Sequence, residues 1–180
     1  ATSDADPQVR KAAVCKLDNQ ELLCAIARID EDWRVRRAAV ERIQNTEELR
    51  EHAQNDDSWR VRAAAVACID DRATLVNRAK WDKAWQVRKA ALKIIDDQTV
   101  LANRAKNDED WGVRRVAVEK LTDQLLLANR AQWDKDARVR RAAVARLVDN
   151  DLLARIACSD SDKSVRADAA LRLDSLTSLE

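Results

Sequence analysis

The dipeptide Val-Arg occurs at 9–10, 35–36, 61–62, 87–88, 113–114, 139–140 and 165–166, always 26 residues from the next and with no insertion. Seven copies at one period exclude most folds. Each copy must be one supersecondary unit that buries its apolar side against its neighbours. Other positions keep the same phase. An Asp stands five residues before each Val: Asp4, Asp30, Asp56, Asp82, Asp108, Asp134 and Asp160. An Ala stands four residues after it, from Ala13 and Ala39 through to Ala169. Leu recurs at 23, 49, 75, 101, 127, 153 and 179. Residues 1–180 therefore read as a single repeat domain, with units starting at these seven aspartates and the last unit incomplete.

Composition decides what the unit is made of. There is one Gly, Gly112, and one Pro, Pro7. So few turn formers exclude a hairpin-rich β fold, and Ala, Leu, Arg, Lys, Glu and Gln are helix formers. The chain reads as all-α, with two helical stretches per unit. In the second copy the first runs over about Trp33–Ile43 and the second, shorter one over about Thr46–Asn55. Side chains at the starts have the chemistry of N-caps. Asp6, Asp32, Ser58, Asp110, Asp136 and Asp162 precede the first stretch; Asn19, Asn45, Asp71, Asp97, Asp123 and Asp149 precede the second. Pro7 takes the first helical position, where a missing N–H costs nothing. Connections this short set neighbouring helices antiparallel.

A helical wheel sorts the first stretch. Val35, Ala38, Ala39, Val40 and Ile43 share a broad apolar arc, and Arg36 falls inside it. A guanidinium there needs a partner, because an unpaired buried charge is costly. The repeating Asp, of its own or the next unit, fits the planar fork of Arg. The reading is a ladder of Asp–Arg pairs along the stack. Ligand binding by these arginines is the other reading.

Asp-x4-Val-Arg followed by Ala and an aliphatic residue resembles the HEAT-like superfamily. The segment from Asp108 to Val118 is similar to a HEAT second helix with its Asp and Arg ladder. The short period and the Leu126, Leu127, Ala131 segment resemble the leucine-rich repeat variants and the phycobilin-lyase-type HEAT repeats. The resemblance covers nearly the whole chain and implies an α-α superhelix. It implies that the shorter segment can be 3₁₀ in part and that the Val-Arg helices line a concave face. It is specific for fold and weak for function. The iron–sulfur module of the variant family needs a cysteine cluster. Cys15, Cys24, Cys68 and Cys158 do not form one, so no cofactor or metal is expected. They read as small, buried or half-buried apolar residues in a reducing cytoplasm.

The nine residues that start four after each Asp hold 21 Lys or Arg and three acids in all, so a near-neutral total hides a steep asymmetry. Ladder arginines and helix dipoles explain part of it. Beyond them, Lys11, Arg34, Arg37, Arg60, Lys89, Lys93, Arg115, Arg138 and Arg141 face solvent on the wheel, with Glu41 and Glu119 among them. Trp33, Trp59, Trp85 and Trp111 form a second row at the first helical position. Two readings stand for each row. The basic stripe is a groove for an acidic partner, or a solvated helix face. The indoles grip a peptide or stack on bases, or they cover the next repeat's edge and the stem of an Arg. Trp81 and Trp133, on the other helix, are expected to pack against the same turn.

The leading functional expectation is a non-enzymatic binding scaffold presenting this basic groove and Trp row to an acidic or extended protein segment. The alternative is sequence-independent nucleic-acid binding through the same stripe. A third is a bilin-lyase-like or glycosylase-like HEAT enzyme, for which Glu41 and Glu119 are the solvent-facing carboxylates. Only one histidine, His52, is present, with no phosphate loop and no nucleophile beside a base. No apolar run reaches the roughly 18 residues of a membrane span, and no signal-peptide pattern begins the chain. Asp168 replaces an apolar residue of the inner copies, and Ser161, Ser164, Ser175, Thr177 and Ser178 surround it. This predicts a last unit built to face water. Val9, Ala12, Ala13, Val14 and Leu17 keep the inner pattern, so a monomer, or a weak dimer through the first helix, is expected.

Overall fold

The structure is a computed structural model and describes residues 4–177, so Ser178 and the last recurring Leu, Leu179, lie outside it. Among the described residues there are thirteen α-helices and no strand. The Val-Arg helices are α1 (Pro7–Val14), α3 (Trp33–Val40), α5 (Trp59–Cys68), α7 (Trp85–Ile94), α9 (Trp111–Lys120), α11 (Ala137–Val144) and α13 (Lys163–Thr177). Between them run α2 (Gln20–Ile29), α4 (Thr46–Asn55), α6 (Arg72–Trp81), α8 (Gln98–Asn107), α10 (Gln124–Trp133) and α12 (Asn150–Ser159). This is the all-α, HEAT-like repeat superhelix that the period requires. It divides into two compact units, Ala1–Ile95 and Asp96–Glu180.

The caps behave as their chemistry demands. Asn19, Asn45, Asp71, Asp97, Asp123 and Asp149 each accept a first-turn N–H of the helix they start. Ser58 and Ala84 do not. The second stretch is not 3₁₀, and in copies one, two and six it is the longer of the two helices. It is α over ten residues, and its end is closed by an i→i−4 bond such as Asp30 N–H to Ile26 O. The 3₁₀ character sits in the other helix. After α1, α3 and α11 the chain tightens into i→i−3 bonds, as in Arg42 N–H to Ala39 O and Ile43 N–H to Val40 O. That last turn swings Ile43 into the core.

The closest helix pairs are α2–α3, α4–α5 and α6–α7 in the first unit and α8–α9, α10–α11 and α12–α13 in the second. The turn at the repeating Asp, not the link after the Val-Arg helix, therefore makes the tight hairpin, although after α5, α7 and α9 that link is equally short. Within each unit successive Val-Arg helices also pack on one another, while successive second helices stand further apart. The Val-Arg layer is thus the crowded side, and grooves open between second helices.

The apolar arc is the core. Val35, Ala38, Ala39, Val40 and Ile43 are all buried, as are Val61, Ala65, Val66, Val113, Ala117 and Val118. The ladder has a definite register. Arg62 donates from Nε and Nη2 to both carboxylate oxygens of Asp82, at 2.9 and 3.0 Å, with side chains only 4% and 2% exposed. Its Nη1 donates to the carbonyls of Asp56 and Asp57. The repeated Arg therefore holds the turn of its own copy by backbone and the Asp of the next by side chain. Arg10–Asp30 and Arg36–Asp56 repeat this in the first unit, Arg114–Asp134 and Arg140–Asp160 in the second. Each such Asp also accepts the N–H two residues on, as Asp82 does from Ala84, which shapes the turn.

Two further ladders run beside it. Arg42, Arg146 and Arg172 donate from Nε to the carbonyls of Leu17, Leu121 and Leu147 in the preceding copy. Gln20, Gln98 and Gln124 donate to carbonyls of the following copy, and Gln20 and Gln98 also accept a backbone N–H there. These bonds satisfy backbone groups left over where helices end.

Three expectations need correcting. Trp81 and Trp133 do not pack on the turn; both are 72% exposed at the ends of second helices, and Trp133 borders an open groove. Cys15, Cys68 and Cys158 are exposed, not buried, and only Cys24 is partly covered. Asp168 is half-buried rather than turned fully to water. Its position faces the preceding copy, where Arg141 Nε donates to it at 2.6 Å. The first helix does carry exposed apolar surface: Val9 is 47% exposed while its six counterparts are buried.

Candidate functional site: the Trp–Arg face of the Val-Arg helices

Each Trp of the row opens its helix just after the cap, so its ring stands at the start of the Val-Arg layer. In the first unit Arg60 lies between two of them. Its guanidinium carbon is 4.7 Å from the Trp33 ring centre and 4.5 Å from that of Trp59, a clamp that joins consecutive copies. Arg34 lies 5.3 Å over Trp33 and pairs with the cap Asp32 at 3.0 Å. Arg37 pairs with Glu41 at 2.7 Å. Lys89 stands 5.7 Å over Trp85. Lys11 and Lys93 are exposed on α1 and α7.

Beside the clamp is a groove of about 340 Å³ between α3 and α5, bordered by Arg37, Glu41, Trp59 and Arg60. Its floor is Ala63, Ala64 and Ala67, with Cys68 at the end. Sequence explains the opening. Ala63 and Ala67 occupy the places held by Arg37 and Glu41 one copy earlier, so short side chains leave room where a salt bridge lies elsewhere.

The second unit uses the same residue types differently. Arg138 stacks 3.3 Å over Trp111 and pairs with Asp136 at 2.7 Å. That hydrogen bond, against a smaller effect of burial, holds the Asp136 carboxyl below its ordinary range. Arg115 pairs with Glu119 at 2.8 Å and Arg141 with Asp168 at 2.6 Å.

The structure thus brings Arg34, Arg37, Arg60, Trp33 and Trp59 together in the first unit, and Arg138 with Trp111 in the second. It does not make the nine basic residues one uncompensated stripe. Five of them have a carboxylate partner. Among the described residues Arg60 has none, and aromatic faces hold it instead. Glu41 and Glu119 are both tied up in i,i+4 pairs. No group of three or more His, Cys, Asp or Glu among the described residues is placed to hold a metal ion.

No family model and no curated protein matches the sequence. Among solved structures, one described as a leucine-rich repeat variant with a novel repetitive protein structural motif is similar. It is 30% identical, with a TM-score of 0.76, over 95% of this chain and 68% of that one. At that identity and coverage the chain belongs to the leucine-rich repeat variants, built as a HEAT-like repeat solenoid.

Proposed function

We propose that this chain is a non-enzymatic protein-binding scaffold whose Val-Arg face receives an acidic or extended segment of another protein. Arrays of stacked repeats build extended surfaces rather than enclosed pockets, and the fold favours a scaffold in general. The observation that carries the finer reading is Arg60. Its guanidinium lies between two indoles, with no carboxylate partner among the described residues, beside an alanine-floored groove. Stacking fixes the side chain but leaves N–H groups for an incoming carboxylate, so little rotamer freedom is lost on binding. The three exposed thiols support a reducing compartment such as the cytoplasm, and among the described residues no helix is long and apolar enough to cross a membrane.

Binding of a fluorescent oligoglutamate peptide and of a fluorescent oligonucleotide across a salt series tests this. Arg60→Ala is expected to weaken the peptide by roughly tenfold, the size of one charged hydrogen bond. Arg115→Ala, which removes an arginine already paired, should change it less than about twofold. Equal effects of the two substitutions would overturn the reading. Tight oligonucleotide binding with a steep salt slope would replace the protein partner by nucleic acid.

A further inference from the structure

The opposite layer, built from the second helices, carries a gap that shows what would fill it. In the third, fourth and fifth copies the residue four before the repeating Asp is an arginine: Arg78, Arg104 or Arg130. Each folds back along its helix. Its guanidinium lies 3.5, 3.4 and 3.6 Å from the carboxylate of Asp82, Asp108 and Asp134 respectively. Its Nη2 also donates to the side-chain carbonyl of the preceding Asn77, Asn103 or Asn129. Three copies therefore share one guanidinium seat, the rung Asp and the Asn before the arginine, to which the Gln54 carbonyl is added at 3.4 Å for Arg78.

The second copy keeps the seat and lacks the occupant. His52 stands where the arginine would, and Glu51 replaces the Asn. Asp56 is present and held by Arg36 as in the other rungs. The shorter imidazole brings Nδ1 to 3.8 Å from the Asp56 carboxylate. His52 is only 6% exposed, and its Nε2 is buried without a hydrogen-bond partner. Buried polar groups are usually paired; Nε of Arg78 and of Arg130 lacks a hydrogen bond in filled seats as well, so what sets His52 apart is the open groove beside it. The space the arginine would take is an open groove of about 320 Å³, lined by His52, Glu51, Asn55, Asp56, Asp57 and Arg36. Arg28 at its rim is already engaged by Glu48. Glu51 accepts only from Asn55, at 2.9 Å, and stays exposed. A carboxylate where the filled copies have an amide makes the seat a stronger cation acceptor.

The first and sixth copies also lack the arginine, but their gaps do not fit a cation in this way. Ile26 and Ile156 stand at the seat. Where the filled copies have the accepting Asn, one has Ala25 and the other the like-charged Arg155, and neither side chain accepts.

We propose that the gap between α2 and α4 is a recognition site for the side chain of an arginine presented by a partner protein. The incoming guanidinium takes the place that Arg78, Arg104 and Arg130 fill in their own copies. It donates to Glu51 and to Nε2 of His52, whose other nitrogen carries the proton toward Asp56. A planar guanidinium presents several donors in a fixed fork, whereas the compact ammonium of lysine is a point charge. The site lies on the layer away from the Trp–Arg face and stands whether or not that face binds acidic segments.

His52 is the one histidine of the chain, so its imidazole resonances report the site alone. Titration with N-acetyl-argininamide is expected to shift them saturably, and N-acetyl-lysinamide to bind at least about fivefold more weakly. By calorimetry, Glu51→Gln should weaken the arginine probe by roughly tenfold, the loss of one charged hydrogen bond. His52→Arg, which supplies the missing occupant from within, should abolish binding while keeping the helical circular dichroism. Glu51→Gln tests the seat independently should His52→Arg disturb the fold, and Arg60→Ala should leave this site intact. The proposal is overturned if the resonances do not move saturably, if lysine binds as well as arginine, or if either site substitution keeps full affinity.

Discussion

Arg114 and Arg115 are adjacent in sequence and sit in two different regions of the molecule. Arg114 lies in the seam between copies, 3% exposed, with both oxygens of Asp134 at 2.9 Å and carbonyls of its own turn below it. Arg115 lies on the open face, 44% exposed, with a single i,i+4 partner. The same pair of fates separates Arg36 from Arg37 and Arg140 from Arg141. Charge content does not distinguish these residues. Their phase on the helix relative to the stack does, and it turns one guanidinium into a structural cross-link and its neighbour into available surface.

The largest expected effect breaks the seam. Arg114→Ala leaves the Asp134 carboxylate nearly buried, with the more distant Arg130 and the Asp136 N–H as its remaining partners. Removing one partner of a buried pair costs about 3–5 kcal/mol. Chemical denaturation of Arg114→Ala should show a loss in that range, with Arg130 holding it toward the lower end. Because stacked repeats can lose cooperativity, a broadened transition is a second expected sign. A loss no larger than that of Arg115→Ala would mean that the seam and the face do not differ in energy.

Acid titration addresses the seam as a whole. Arg10's hydrogen bond, against burial, holds the Asp30 carboxyl below its ordinary range. At Asp160 burial pushes the carboxyl up, but the bonds from Arg140 and from the Asp162 N–H outweigh it. A carboxyl whose folded pKa lies below its unfolded value, about 3.9, contributes its stability in full above that value. It loses the contribution as pH falls through the folded pKa. The Tm should therefore be flat between about pH 7 and 5 and fall steeply below about pH 4. At about 1 M salt the fall should persist, since partly buried pairs are screened far less than exposed ones. A Tm unchanged at pH 3 would show that the rungs contribute little.

The period made the fold legible because each structural position recurs in phase: Val35 and its counterparts other than the exposed Val9, and the Arg inside the apolar arc, landed as the wheel placed them, and the six caps of the second helices as their chemistry placed them. The register of the rungs was not legible. Whether an Arg meets the Asp of its own or the next copy depends on how copies stack, which lies beyond one helix. The Gln and Arg42 ladders carried a readable signal, since Gln20, Gln98 and Gln124 recur in phase, but polar residues at helix starts also suit plain solvent. For the face, the wheel found Trp33, Trp59 and Arg60 as exposed or edge positions. It could not show that Arg34, Arg37, Arg115, Arg138 and Arg141 reach carboxylates, because rotamers and neighbouring copies decide that. His52 was legible only as a lone histidine. Its meaning comes from Arg78, Arg104 and Arg130 in the same phase, once their carboxylate partners are seen.

The smallest expected effects lie on the open face, and Asp168 is the sharpest case. By sequence it interrupts an apolar position. Alanines at that position are buried at Ala38 and Ala64 but exposed at Ala12, in the one copy with no Val-Arg helix before it in this chain. The position therefore looks back along the array, toward the copy before it. Asp168 is tolerated because Arg141 of that preceding copy reaches its carboxylate at 2.6 Å, on a part of the seam that is still open to water. Arg115→Ala should cost under about 0.5 kcal/mol, the range of exposed i,i+4 pairs. Asp168→Ala should change stability by no more than that, in either direction. It exchanges an exposed ion pair for the small apolar contact that Ala38 and Ala64 already make. Its sedimentation coefficient should match that of the parent chain across concentration. Clear self-association of Asp168→Ala would mean that the carboxylate guards an exposed end after all, and that the seam and the open face meet at this residue differently from the way Arg141 places them.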